Sequence, residues 1–167
     1  MKGLGNVFDI GSAFTPVDFN TSDAATGHRV HMRNYESIAL VLFKGAGTAG
    51  ADPVITVQEH TAATGGTSAT LAVIDEFYYK AETVLDGDET WTRATQAAAG
   101  TASVDTWAEV ELLAVVEVEA PSLSAGFEWV SFNIAATVAN VQLVSGFYIM
   151  SGLKIARRAD LLAQPNA

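Results

Sequence analysis

The 167-residue chain contains no cysteine, four prolines, and only nine lysines and arginines against nineteen aspartates and glutamates. Without cysteine there can be no disulfide, no thiolate metal ligand and no thiol nucleophile. The formal charge of −10, with a pI near 4.5, argues against direct nucleic-acid binding, which takes clustered Lys and Arg to displace the counterions of a phosphate backbone. No window approaches the roughly 18 consecutive apolar residues of a membrane-spanning helix. The opening stretch MKGLGNVFDIGSAF has no apolar core of a secretory signal. Charged residues make up 17% of the chain, below the usual quarter or so. What is abundant instead is Gly, Ala, Thr, Val and Ser. This small-residue, β-leaning composition, at the length of one domain, suits an exported or assembled structural protein better than a cytosolic enzyme.

The period of the apolar residues predicts strands nearly throughout. SIALVLF (37 to 43) is continuously apolar, as a buried strand would be, and VITVQEH (54 to 60) is β-branched and alternating. These two are expected to pair as a hairpin across the glycine-rich stretch between them. A long strand is expected over Thr70 to Lys80, a short one around Trp91 to Thr95, and at most one turn of helix at QAAAG. The clearest element is TWAEVELLAVVEVEA, residues 106 to 120. Its Val110, Leu112, Ala114, Val116 and Val118 share one face of a strand, and Glu109, Glu111, Glu117 and Glu119 the other. Leu113 and Val115 interrupt the acidic face and are a candidate patch for a further strand or a second subunit. Two more strands follow, one carrying Val130, Phe132 and Ile134 on one face, the last bent at Gly146.

About eight strands with no helical pattern between them predict an all-β fold. It is expected to be a single β-sandwich, with a jelly roll as first choice, since strands without crossover helices cover their apolar faces with another sheet. Residues 1–27 are expected to be an extended N-terminal arm, 28–156 the sandwich and 157–167 a C-terminal tail. The arm's Phe8, Phe14 and Phe19 are too many aromatics for a disordered segment and are expected to pack on the chain's own core or on a neighbouring subunit.

No stretch specifies catalysis. Gly45, Gly47 and Gly50 have the spacing of a dinucleotide-binding turn. A strand follows them where a phosphate-binding helix should begin, and Asp75 and Glu76 are the nearest acids to the ribose-binding position, so no cofactor is expected. His28 and His31 would face opposite sides of a strand and are expected to be solvated or capping rather than joint metal ligands. His60 reads as an ordinary polar residue at a strand end. Asp86, Asp88 and Glu89 offer oxygen ligands but lack the register of a calcium loop, and a solvated acidic hairpin is expected. There is no nucleophile elbow and no separated pair of carboxylates with distinct roles. Trp91, Trp107 and Trp129 suit either a sugar-stacking platform or a core.

The layout as a whole resembles the small β-rich decoration, or cement, proteins of tailed-bacteriophage heads. The resemblance runs over about residues 24 to 158: NYESIALVLFKGAGTAGADPVITVQEHTAATGG, then LAVIDEFYYK, TWTRAT, the acidic-apolar strand, and a last strand ending in basic residues. It implies a non-enzymatic protein of the virion that binds the major capsid protein on the outside of the shell, as a trimer, without contacting nucleic acid or membrane. On that reading Phe8, Phe14 and Phe19 would anchor the arm, and deleting residues 1 to 22 would abolish particle binding while leaving the domain folded. The principal alternative is a carbohydrate-binding or fibre-like sandwich module.

Overall fold

The computed structural model describes residues 3–19, 24–135 and 141–162. The regular structure of the described residues is nearly all strand: β1 (Phe8–Asp18), β2 (Ala25–Thr26), β3 (Val30–His31), β4 (Ser37–Lys44), β5 (Ile55–His60), β6 (Ser68–Thr70), β7 (Ile74–Glu82), β8 (Thr92–Ala99), β9 (Thr101–Ala102), β10 (Glu111–Glu119), β11 (Trp129–Ile134) and β12 (Leu143–Ser151). Only single 3-10 turns interrupt them, and no helix among the described residues is long and apolar enough to cross a membrane. Two antiparallel sheets pack face to face. The first has the order β1-β12-β4-β10-β7-β8, and the second β2-β11-β5-β6 with β3 on β11 and β9 on β5. The pairing is nested: β1 with β12, β2 and β3 with β11, β4 with β10, β9 with β5. Successive pairs alternate between the sheets, the wrapped order of a jelly-roll-like sandwich.

The core follows from the pleat. Ile38, Leu40 and Leu42 of β4 and Leu112, Ala114, Val116 and Val118 of β10 point inward, where Ile55 and Val57 of β5 and Val130, Phe132 and Ile134 of β11 meet them. Trp107, fully buried, stands edge-on to Phe77 and Tyr79 with ring centroids 5.7 and 5.6 Å away. The expected amphipathic strand is therefore present, though it begins at Glu111; the residues before it form a turn.

Three expectations are corrected. β4 and β5 are not a hairpin, because both flanks of β4 are taken by β10 and β12, and the chain crosses to the other sheet before β5 begins. The stretch QAAAG is not helical; it continues β8, held by pairing with β7. The boundary expected at residue 27 between an extended arm and the sandwich is not seen, since Phe8–Asp18 is the edge strand of the first sheet, running antiparallel to β12. Residues 20–23 of the expected arm lie outside the described residues.

Candidate interaction surface

The three arm phenylalanines part company in the fold. Phe14 and Phe19 are buried in the chain's own core, and only Phe8 keeps part of its ring on the surface. A bulge in β1 between Ser12 and Phe14 turns Phe14 inward, over Gly146 of β12. A Cβ at Gly146 would sit 2.7 Å from the Phe14 ring, so the glycine makes the space that the ring fills. Phe14 and Phe19 thus serve this domain's interior and are not available as anchors on a neighbour.

Leu113 and Val115 lie on the outer face of the first sheet, half-buried among neighbouring strands. Leu113 stands between Phe43 and Lys80, and Val115 between Val41 and Tyr78. The same face continues through Phe147 and Ile149 of β12 to Ile10 of β1. Phe43 (49% exposed), Ile10 (50%), Phe147 (39%) and Tyr78 (38%) show that this apolar tract is open to solvent. A run of exposed apolar side chains on one face of a sheet makes it a candidate interaction surface. Leu113 and Val115 were legible in the sequence as an apolar break in an acidic row, whereas Phe43, Phe147 and Ile10 become their neighbours only through long-range pairing.

Glutamates rim the face: Glu76 and Glu82 on β7, and Glu111, Glu117 and Glu119 on β10. Lys80 and Arg93 are the cations among them. Arg93 is bound through two guanidinium nitrogens to Glu76 Oε2, which holds the Glu76 carboxyl below its ordinary range.

Of the three tryptophans, Trp107 and Trp129 are buried, which removes any three-tryptophan platform. Trp129 stacks on His31 at 4.4 Å, and His31 Nε2 lies 3.3 Å from Glu128 Oε2. His28 Nδ1 lies 3.2 Å from the Ser12 carbonyl, so the two histidines share no ligand position. Trp91 is 49% exposed beside the β7–β8 connection, with Lys80 Nζ 5.3 Å from its ring centroid.

The acidic loop is a self-capped turn. The Glu89 carboxylate accepts the main-chain N–H of Asp86 at 2.5 Å and Gly87 at 3.0 Å. Those N–H groups, Gly87 first, pull its pKa below the ordinary range. The three carboxylates converge within 4.8 Å of one another, and Gly87, with φ +105°, permits the reversal.

His60, expected to be an unremarkable polar residue, is buried between two hydroxyls. Its Nδ1 is 2.7 Å from Ser68 Oγ and its Nε2 2.9 Å from Ser131 Oγ. Arg29 donates to Ser68 Oγ at 3.3 Å and to the Ala62 and Gly65 carbonyls. A histidine against a serine is the start of a nucleophile and base pair, but Ser131 is 2% exposed in the middle of a sheet and has no open space for a substrate. The cluster joins β5, β6 and β11. Burial first, then the Arg29 charge, lowers the His60 pKa from 6.5 to about 4. Between those values the unfolded chain holds a proton that the native chain does not, so His60 stabilises the fold above pH 6.5 and that stability is lost as pH falls toward 4. The unfolding free energy is expected to drop by up to about 1.4 kcal/mol per pH unit across this window. In His60→Gln that part of the slope, measured by urea titrations, should vanish; an unchanged slope would place the proton uptake elsewhere.

The glycine-spaced loop, Gly45 to Pro53, closes over a buried lysine at the end of β4. Lys44 Nζ donates to the carbonyls of Gly45 (2.6 Å), Ala108 (3.1 Å) and Val110 (3.1 Å). Asp52 Oδ1 accepts the Ala108 N–H at 2.8 Å, and Gly47 N donates to the Ala108 carbonyl at 2.8 Å. Gly47 has to be glycine for closeness: a Cβ there would lie 2.4 Å from Gln142 Cγ. Of the three loop glycines only Gly50 has positive φ, +82°.

Compared with known protein families, curated proteins and solved structures, the chain matches none of them.

Proposed function

We propose that this chain is a structural protein of a tailed-phage particle, a decoration protein that binds the major capsid protein on the outside of the head and braces the shell. The observation that carries this reading is the apolar outer face of the six-stranded sheet, centred on Phe43, Leu113, Val115 and Phe147. A rigid sandwich with one such face suits repetitive attachment to a lattice, where symmetric contacts multiply a modest affinity. Assembly as a homotrimer at three-fold positions is part of the proposal. The β-rich layout and the resemblance of residues 24 to 158 to capsid cement proteins support it.

The test is binding to head shells assembled from the major capsid protein encoded with this chain. Saturable co-sedimentation, and a higher temperature for shell rupture with the protein bound, are expected. Shells that neither bind nor gain stability would sink the proposal. The exposed Trp91 favours a second reading, a carbohydrate-binding module in which one aromatic stacks on a sugar. Reproducible glycan-array binding that disappears in Trp91→Ala would establish it in place of the first.

A further inference from the structure

The ladder between β10 and β7 stops halfway. It runs from Glu111↔Glu82 to Val115↔Tyr78, yet β10 continues to Glu119 and β7 begins at Ile74. On their other sides both strands remain paired, β10 with β4 as far as Glu119↔Ser37 and β7 with β8 as far as Ile74↔Ala99. A bulge in β7 between Ile74 and Glu76 accompanies the divergence. Ile74, Phe77 and Val118 close the floor, each at most 3% exposed. Above them a groove of about 350 Å³ opens on the outer face, lined by Asp75, Glu76, Glu117 and Glu119 and continuous with Tyr78 and Val115 of the apolar tract. Two strand edges therefore face a groove with no strand between them, over a length of about 13 Å.

We propose that this groove and the apolar face beside it dock an extended segment of a partner protein in which Lys or Arg alternates with apolar residues. An extended chain can hydrogen-bond to an open strand edge and present alternate side chains to opposite sides. Here one set meets carboxylates and the other meets Tyr78, Val115 and Leu113. Charge selects the partner. The rim carries Glu76, Glu82, Glu111, Glu117 and Glu119 against Lys80 and Arg93, and Arg93 is already bound to Glu76. A second copy laid on this face would oppose acid to acid in a chain of net charge −10. Of the chain's own C-terminal cations, Arg158 pairs with Asp160, and Lys154 lines a neighbouring cavity with Glu117 and Glu119, one cation against the two carboxylates.

This inference deepens the decoration reading by naming the face and the chemistry of the capsid segment it takes. The probe is a capped heptapeptide of alternating lysine and valine, titrated into ¹⁵N-labelled protein. Amide shifts are expected in β7, β10 and the adjoining part of β4. The affinity should fall about tenfold in the Glu117→Gln, Glu119→Gln double variant and again on raising salt to about 0.5 M. The glutamate-valine counterpart should not bind. Shifts elsewhere, no shifts at all, or equal binding of the acidic peptide would overturn the proposal. So would self-association of the wild type that Phe43→Asp abolishes, since the occupant would then be a second copy. Peptide binding without shell binding would sink the capsid function and leave the groove standing. Shell binding undiminished in the double variant and in Phe43→Asp would do the reverse.

Discussion

Lys44→Ala is expected to lower the unfolding free energy by about 3–5 kcal/mol, because it removes the buried donor that three main-chain carbonyls share. Lys44 is fully buried where β4 ends, and its ammonium ties the glycine loop to the turn before β10. Lys44→Met keeps most of the stem and should cost less, so the difference between the two variants reports the packed methylenes. Both are read by urea denaturation. A loss under about 1 kcal/mol in Lys44→Ala would mean that water takes over the carbonyls without strain. The charge itself is a cost. Burial brings the Lys44 pKa from 10.5 to about 8, with Asp52 pulling the other way. Below pH 8 native and unfolded chains both hold the proton; from pH 8 toward 10.5 only the unfolded chain does. The contribution of this group to stability therefore rises with pH in that window, and a wild-type minus Lys44→Met difference should climb between pH 8 and pH 9.5.

Phe14→Ala and Phe19→Ala should each cost about 3–5 kcal/mol, the penalty for emptying a buried aromatic site. Phe19 is fully buried, and its N–H donates to the Gln142 carbonyl at 3.1 Å. Phe14 fills the space above Gly146. Phe8→Ala should cost far less, since that ring lies partly on the surface. The same pattern redirects the truncation experiment. Deleting residues 1 to 22 removes an eleven-residue edge strand together with two core aromatics. It also strips the outer edge of β12, a template for aggregation. A truncated protein that stays monomeric, with wild-type stability in urea, would show that β1 is dispensable to the sandwich and restore the reading of residues 1–27 as a segment separate from it.

Local alternation was enough to establish an all-β chain, the strand character of residues 111 to 119, their inward residues, and Leu113 and Val115 as an apolar break in an acidic row. Each of these depends on the pleat, which repeats every two residues and needs no knowledge of partners. The strand expected after Gly45, Gly47 and Gly50 is also there, as β5. Tertiary structure alone decided which strands are neighbours. β4 and β5, adjacent in sequence, went to different sheets because β10 and β12 cover both edges of β4 with long matched ladders. The same long-range pairing drew Phe14 and Phe19 into the core, gathered Ile10, Phe43 and Phe147 beside Leu113, and left the gap between β7 and β10. It also buried Lys44 and His60, whose partners are as far as 66 and 71 residues away along the chain. The period of a strand is local, whereas the choice of its neighbour weighs burial over the whole sandwich against the entropy of closing long loops. The sequence could therefore name the strands but not the surface they build.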